Sequence, residues 1–265
     1  MPEGDSIHRA ATRMRPVLLG KKIEEGLTTK AIIPVSRLID REVTEIDTHG
    51  KYLFIRFGTF GSIRIHLGMD GRYFYRRLAP PFPPTQPVHL LALRAGKAWM
   101  CCRAPKILDW DAPLVREQEV RGLSGQDLLK EHDSNVIAQE MQRLGDLPIA
   151  SALLRQNIAA GIGNVYKSEI LFLERVHPET ATGDLSLEKL KAMVDRAAWL
   201  LQRNVVSYTR DRRTTRFGMG PKLSVYGRGD EPCLKCGARI VRMVDREMAR
   251  STYFCPSCQK RRASV

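Results

Sequence analysis

Two Cys-x-x-Cys pairs lie near the end of the chain: Cys233-Leu234-Lys235-Cys236 and Cys255-Pro256-Ser257-Cys258. Residues 237–254 separate the pairs, and Gly237, directly after the first pair, suits a tight turn. Thiolates two residues apart on such a turn can bind one tetrahedral Zn²⁺ at about 2.3 Å, and the second pair completes the four ligands. The alternative, four ordinary buried thiols, rarely has this spacing. The pattern therefore predicts a closed structural zinc site that holds a β-hairpin.

The composition indicates a polyanionic partner. The net charge is +14, from 43 basic and 29 acidic residues, and four thiolates with one Zn²⁺ would lower it to about +12. Nucleic acid and an anionic membrane surface both attract such a chain. No apolar run reaches the roughly 18 residues of a spanning helix, and residues 1–14 lack the apolar segment of a secretory signal. We expect a soluble protein of the reduced cytoplasm, associated with the nucleoid and without a membrane partner.

The first half of the chain reads as one helix followed by short strands. Apolar residues recur at helical spacing over 5–19, with Asp5 as the expected N-cap. Alternating apolar and polar residues then predict short strands. These are Tyr52–Phe57, a strand centred on Ile63 and Ile65, Tyr73–Tyr75, His89–Arg94 and Ala98–Cys102. Short strands at close intervals, interrupted by the proline-rich stretch 79–84, favour a β-sandwich or small barrel.

Helical patterns replace the strands from about Gln126. They cover 134–143, 148–157, 163–173 and 186–206, the last with Ser186 as its expected N-cap. The fold class is therefore α+β, with an N-terminal β-sandwich and flanking helix, a helical region and a four-cysteine zinc-finger hairpin. We place the domains at 1–122, 123–219 and 220–265.

Two further stretches fit contacts with phosphate groups. Gly161-Ile162-Gly163-Asn164 lies between helical patterns, where glycines and a helix N-terminus can approach an anion. Taken alone, it reads as an ordinary helix connection. Lys167 nearby and the basic chain favour phosphate binding. The run from Arg210 to Arg228 is rich in basic residues and reads either as a solvated surface or as an arm that closes on a nucleic-acid backbone.

Pro2 and Glu3 form a chemically distinctive pair. If Met1 is removed, the nitrogen of Pro2 is a free secondary amine, whereas with Met1 attached it is an inert amide. A secondary amine at a sugar C1′ forms a cationic iminium, and a neighbouring carboxylate can move protons. Proline at position 2 is common and alone means little, so the hypothesis depends on the zinc pattern and on the charge.

Five motifs in order resemble the family of formamidopyrimidine-DNA glycosylase and endonuclease VIII, and the resemblance covers essentially the whole chain. Besides Pro2-Glu3-Gly4 they are His49-Gly50-Lys51-Tyr52-Leu53, His66-Leu67-Gly68-Met69-Asp70-Gly71, Gly161-Ile162-Gly163-Asn164-Val165-Tyr166-Lys167-Ser168-Glu169 and Arg250-Ser251-Thr252-Tyr253-Phe254-Cys255-Pro256-Ser257-Cys258-Gln259. The resemblance implies a helix–two-turn–helix region between the sandwich and the zinc finger.

The same resemblance implies roles for single residues. Pro2 would be the nucleophile, Glu3 the general acid–base, and Lys51 a contact to the sugar or phosphate at the lesion. Without the family, Lys51 would read as a solvated lysine at a strand edge. Asn164 and Arg250 would bind phosphates beside the flipped nucleotide, with Arg250 also counted among the catalytic residues.

Two more residues are assigned to DNA binding. Lys167 is expected to bind DNA next to Asn164. Met69 would be a wedge that fills the gap left by the extruded base, although an isolated methionine is normally part of a core.

The chain departs from the family pattern at two places. Ser6 stands where many relatives have a glutamate, which removes one candidate proton relay. The second wedge loop of formamidopyrimidine-type members carries an arginine and a phenylalanine. This chain offers Arg103, Lys106 or Trp110 in the corresponding stretch.

We therefore predict a bifunctional DNA glycosylase and AP lyase that excises oxidised pyrimidines and cleaves the strand by β- and δ-elimination. We expect one structural zinc ion as its cofactor, duplex DNA with an oxidised base or abasic site as its partner, and a monomeric state. The opening Pro-Glu-Gly-Asp resembles endonuclease VIII, whereas Met69 resembles the purine-directed group, so excision of 8-oxoguanine or formamidopyrimidine is the alternative. A non-catalytic protein that binds damaged DNA and an RNA-binding zinc ribbon are the alternatives of other classes.

Overall fold

The chain divides into two units in the computed structural model, residues 1–120 and residues 121–265. The structure describes residues 2–77, 90–111, 124–206, 213–216, 220–244 and 249–261. The proline-rich stretch 79–84 and part of the basic run lie outside these residues. Among the described helices, none combines the length and the apolar character that crossing a membrane requires.

Helix α1 covers Gly4–Leu18 and begins one residue earlier than the sequence pattern indicates. Glu3, not Asp5, is its N-cap, so the Asp5 prediction is wrong. Asp5 lies in the first turn, where it is fully buried and pairs with Arg9 at 3.6 Å. The helix buries one face, as its apolar spacing predicts. That face carries Ile7, Ala11, Met14 and Leu18.

Two four-stranded antiparallel sheets are present among the described residues of the first unit. In order across the first sheet, the strands are β1 (Glu25–Thr28), β6 (Leu90–Ala95), β7 (Ala98–Arg103) and β5 (Arg72–Arg76). In order across the second, they are β2 (Glu45–His49), β3 (Tyr52–Arg56), β4 (Ser62–His66) and β8 (Ile107–Asp111). A short helix, α2 (Val35–Leu38), precedes β2.

Side chains from α1 and from both sheets share one apolar core. Its fully buried members include Ile7, Met14, Ile55, Ile65, Leu93, Met100 and Leu108. This arrangement confirms the predicted sandwich with a flanking helix. The sequence pattern missed β1, β2 and β8 because their residues alternate weakly: β1 holds Gly26, β2 has one aliphatic residue, Ile46, and β8 holds Asp109 and Asp111. Both aspartates of β8 pair with Arg64 of β4, and its positive charge offsets their negative charges.

Helices dominate the described part of the second unit: α3 (Ser134–Gln142), α4 (Ile149–Ala152), α5 (Asn164–Leu173) and α6 (Leu187–Val206). Asp133 caps α3 by accepting from the N–H groups of Asn135 and Val136. Ser186 accepts from the N–H of Lys189 at 3.2 Å, as expected of the cap of α6. Helix α4 is shorter than the predicted 148–157.

The prediction that strands end near Gln126 is wrong at one place. The short strands β9 (Gln126–Asp127) and β10 (Ala159–Ala160) pair in parallel. The N–H of Gln126 donates to the carbonyl of Ile158 at 3.2 Å, directly after the end of the predicted helix 148–157, and the observed helix ends at Ala152. Two-residue strands carry no periodicity that a sequence pattern could register.

The last strands form an antiparallel hairpin of β11 (Val241–Val244) and β12 (Ser251–Phe254). A small buried cluster joins it to α5. Its members are Phe172, Val225, Cys233, Ile240 and Cys255. The division of the chain into domains at 1–122, 123–219 and 220–265 stays a prediction.

Candidate functional site

Pro2 and Glu3 lie directly before helix α1. Pro2 is half-buried, and Glu3 is fully buried at the N-cap position. The hydroxyl of Ser6 accepts from the N–H of Glu3 at 2.9 Å and donates to the carbonyl of Glu3 at 2.8 Å. The hydroxyl of Ser6 therefore holds both the N–H and the carbonyl of Glu3 in place. Sequence reasoning treated this serine only as a missing glutamate and overlooked its effect on the backbone.

Lys51 lies on the tight turn between β2 and β3. Gly50, before it, has a φ of 55°, which suits a two-residue hairpin turn. The next residue, Tyr52, faces His66 of β4, with ring centroids 4.8 Å apart. Burial, followed by the positive charges of Lys51 and Lys106, lowers the pKa of His66 to about 4. The Lys51 ammonium thus belongs to a basic cluster around a histidine that is neutral at pH 7.

His66 also holds the turn that carries Met69. Its Nδ1 accepts a hydrogen bond from the N–H of Gly68 at 3.1 Å. Gly71 closes the turn by donating to the carbonyl of Leu67 at 3.1 Å, and a Cβ on Gly71 would lie 2.3 Å from that oxygen. Met69 is 61% exposed, so it is not part of the core. Its exposure agrees with the predicted wedge position, while the role itself stays a prediction. His66 was quoted in its motif without a function.

Three side chains at or near the connection from β7 to β8 could replace a second wedge: Arg103 ends β7, Lys106 lies in the connection and Trp110 lies within β8. Trp110 packs against Phe60, with ring centroids 5.4 Å apart, and so contributes to the sandwich. Arg103 and Lys106 are exposed. The geometry therefore leaves these two basic residues as the candidates in this loop.

The four cysteines of the zinc pattern come together. Their sulfurs all lie within 4.8 Å of one another. The distance between sulfurs is 4.0 Å for Cys233 and Cys258 and 3.4 Å for Cys236 and Cys255. Tetrahedral Zn–S bonds of about 2.3 Å place sulfurs about 3.8 Å apart. The residues therefore fit one structural Zn²⁺, as predicted.

The environment of the cysteines also favours a metal. A hydrogen bond from the backbone N–H of Ala238 lowers the pKa of Cys236 to about 7, whereas burial raises the pKa of Cys255 and of Cys258. A divalent cation stabilises all four thiolates together. The buried Gln259 accepts from the N–H of Cys255 at 2.9 Å and donates to the carbonyl of Val176 at 2.8 Å. It therefore connects the zinc site to the loop after α5.

The start of helix α5 meets the zinc hairpin at one carbonyl. Gly163 is the N-cap of α5, and Asn164 follows it. Nδ2 of Asn164 donates to the carbonyl of Ser251 at 2.7 Å, and Nζ of Lys167 donates to the same oxygen at 3.2 Å. Arg250, the residue before Ser251, is half-buried. The structure thus brings the predicted residues Asn164, Lys167 and Arg250 to one place, but it buries Lys167 completely.

Glu169 of α5 anchors a distant segment. Its fully buried carboxylate accepts from the hydroxyl of Thr215 and from the N–H groups of Ser224, Val225 and Tyr226, the last three at 2.8–2.9 Å. The motif that contains Glu169 did not by itself indicate a role for this residue. The available signal was an acidic residue among apolar residues on a predicted helix, because a buried carboxylate needs hydrogen-bond donors.

Part of the basic run between Arg210 and Arg228 is visible around this anchor. The guanidinium of Arg213 lies over the ring of Tyr166 at 4.9 Å from its centroid. Arg228 donates to the carbonyls of Ser224 and Pro232. These two arginines have protein partners, and residues 207–212 and 217–219 lie outside the described part.

Three family models match the chain in order. The N-terminal domain of formamidopyrimidine-DNA glycosylase matches residues 1–101, and its H2TH domain matches residues 124–215. A zinc finger found in FPG and IleRS matches residues 230–261. The models therefore cover most of the sandwich, the helices and the zinc hairpin.

Relatives match almost the full length. A probable endonuclease 8 2 of Streptomyces coelicolor is 32% identical over 98% of this chain and 94% of its own. The DNA-(apurinic or apyrimidinic site) lyase Nei2 of Mycolicibacterium smegmatis is 34% identical over 98% and 99%. The formamidopyrimidine-DNA glycosylase of Ligilactobacillus salivarius is 28% identical over 98% and 99%.

Among solved structures, the complex between the Lactococcus lactis Fpg and DNA containing an abasic site has the same fold. Its TM-score is 0.79 at 24% identity, over 98% of this chain and 100% of that one. The chain therefore belongs to the formamidopyrimidine-DNA glycosylase and endonuclease VIII family, whose members are DNA glycosylases of base-excision repair with AP lyase activity.

Proposed function

We propose that this enzyme excises oxidised pyrimidines from duplex DNA and cleaves the strand through an iminium at Pro2. The observation that carries the proposal is the placement of Pro2 directly before Glu3, whose backbone Ser6 fixes at the start of α1. The proposal requires that Met1 is removed, because only a free nitrogen of Pro2 can act as a nucleophile.

The nitrogen of Pro2 attacks C1′ of the damaged nucleotide, and the bond from C1′ to the base breaks. The base leaves with the electron pair and takes up a proton. The sugar ring then opens, and the nitrogen lone pair forms the iminium. Loss of a C2′ proton expels the 3′ phosphate, and a second elimination expels the 5′ phosphate. Water finally releases the sugar fragment and restores the amine of Pro2.

Glu3 supplies and removes the protons in this scheme, and Lys51 contacts the sugar or phosphate at the lesion. Glu3 lies next to Pro2, at the N-cap position of α1. Lys51 lies half-buried on the hairpin turn between β2 and β3, from which its long side chain can reach a ligand. Both placements support the assignment of these residues to the reaction.

Duplex DNA would be held by Asn164 and Arg250, which we assign to phosphates beside the flipped nucleotide. Met69, exposed on its glycine turn, would fill the gap in the stack. Residues 1–122 would then form the catalytic domain, and 123–219 with 220–265 would form the DNA-binding parts of a monomer. A chromosomal substrate would associate the enzyme with the nucleoid in the cytoplasm.

The substrate class is supported by the opening Pro-Glu-Gly-Asp and by relatives at 32% and 34% identity that carry endonuclease 8 and Nei2 names. The second candidate is excision of oxidised purines, favoured by the exposed Met69 in His-Leu-Gly-Met. The loop with Arg103 and Lys106 lacks the arginine–phenylalanine pair that accompanies purine extrusion, which supports the first candidate.

The nucleophile is tested by borohydride trapping on DNA with an abasic site. We expect a covalent adduct that peptide mapping places on Pro2, and a protein mass that lacks Met1. Glu3→Gln should retain much of the abasic-site cleavage and lose most base excision, because only excision must protonate a leaving base. An adduct on Lys51 would refute the assignment.

The substrate class is tested by single-turnover rates on three duplexes that contain thymine glycol, 5-hydroxycytosine or 8-oxoguanine paired with cytosine. We expect faster excision of both pyrimidines. Cleavage of an abasic duplex is measured in parallel as the control for binding, and it should be equal. Faster excision of 8-oxoguanine would favour the second candidate.

A further inference from the structure

Lys167 is an unusual site for a lysine. It lies in the first half of α5, and its side chain is fully buried. Lysine is almost never fully buried unless its ammonium has partners, because removal of a charge from water is costly. The ammonium of Lys167 donates to a backbone carbonyl of the protein, that of Ser251. The position of this side chain therefore calls for a role within the protein.

The ammonium of Lys167 and the amide of Asn164 share one acceptor. Both donate to the carbonyl of Ser251, at 3.2 Å and 2.7 Å, and a carbonyl oxygen has two lone pairs to receive them. Ser168, one helical turn after Asn164, accepts a hydrogen bond from the N–H of Tyr253 at 3.3 Å. The polar face of α5 thus fixes the backbone of β12 at the residue where that strand begins.

Ser251 directly follows Arg250, and consecutive Cα atoms are about 3.8 Å apart. A fixed carbonyl on Ser251 therefore limits where the side chain of Arg250 can start. We infer that Lys167 is a positioning residue, which binds no DNA itself and holds Arg250 in place through the carbonyl of Ser251.

The inference rests on the proposed contact between Arg250 and a phosphate. A double-mutant cycle tests it on the full-length zinc-loaded protein with Lys167→Met, Arg250→Ala and the double variant. Methionine keeps most of the length of the side chain and removes the ammonium. Lys191→Met is the matched control, because Lys191 lies on α6 with its side chain 42% exposed and paired with Asp195. The readouts are zinc content and affinity for a duplex with a tetrahydrofuran abasic-site analogue, measured across salt concentrations.

We expect Lys167→Met to retain zinc and to lose about tenfold or more in affinity, as Arg250→Ala does. The slope of log affinity against log salt should fall by about one unit in either single variant and by the same unit in the double variant, since one phosphate contact is lost. Lys191→Met should bind like the unmodified protein.

Other outcomes separate the two ideas. A double variant that loses about two units of slope would mean that Lys167 contacts a phosphate independently, and would overturn the inference alone. Unchanged binding in Lys167→Met, or loss of its zinc, would overturn it as well. An Arg250→Ala variant that binds normally would refute the proposed phosphate contact, and the inference with it.

Discussion

The sandwich and the zinc hairpin are both built from short antiparallel strands, but different interactions hold them together. The sandwich buries apolar side chains from α1 and from six described strands, β2 to β4 and β6 to β8, in one core. The hairpin has a small buried cluster in which Cys233 and Cys255 also serve as zinc ligands. Val244 of the hairpin is 55% exposed. A small β-structure thus replaces apolar burial with a metal and with polar links to a helix.

The largest effect should come from removing one zinc ligand. Cys255→Ser should lose zinc and unfold the hairpin, because a structural site contributes on the order of 10 kcal/mol to folding. Zinc content and binding to duplex DNA measure the loss. The control is Cys102→Ala in β7, a buried cysteine of the sandwich, which should keep its zinc. Stoichiometric zinc in Cys255→Ser would contradict the view that the hairpin depends on a metal held by all four cysteines.

A smaller effect should come from a cavity in the sandwich. Ile55 of β3 is fully buried, and Ile55→Ala should lower the free energy of unfolding by about 2–5 kcal/mol without loss of zinc from the native protein. Ile32→Ala, at a residue 56% exposed, should change it by less than about 0.5 kcal/mol. Chemical denaturation followed by circular dichroism gives both values. Equal effects of the two substitutions would show that apolar burial does not decide the stability of the sandwich.

The smallest effect should be a pH dependence that His66 of the sandwich contributes to stability. The pKa of His66 is about 4 in the folded protein and about 6.5 in an unfolded chain. The unfolded chain therefore binds the proton first, and the stabilisation present above pH 6.5 is lost as the pH falls toward 4. With allowance for solvent screening the loss is on the order of 1 kcal/mol.

Unfolding at several pH values checks this, with His66→Gln as the comparison. The variant should show a flatter dependence between pH 6.5 and 4. An NMR titration that gave His66 its ordinary pKa would contradict the expectation.

Local patterns predicted much of both regions. The cysteine spacing alone located the zinc site, because its ligands lie on two tight turns of the same hairpin. Alternation located β3, β4 and β7, and helical spacing located α1, α5 and α6.

Predictions failed both at contacts inside one helix and at a contact between distant parts of the chain. Asp5 was predicted as a cap because it is a good capping residue, but its pairing with Arg9 inside the helix leaves the N-cap to Glu3. The partner of Lys167 is a backbone carbonyl 84 residues away, which no local pattern contains. Ser6 shows a further limit: a residue type absent from a family pattern can still have a role in fixing the backbone.

The anchor at Glu169 has a consequence for the order in which the second unit folds. Its donors follow it by 46 to 57 residues, so α5 can form its own backbone hydrogen bonds long before the carboxylate meets Thr215 and residues 224–226. Closing such a long loop has an entropic cost, and a carboxylate that is buried without donors is strongly unfavourable. A growing chain that ends before residue 215 therefore keeps Glu169 in water. The final packing of α5 becomes a late step of folding, coupled to synthesis of the zinc hairpin.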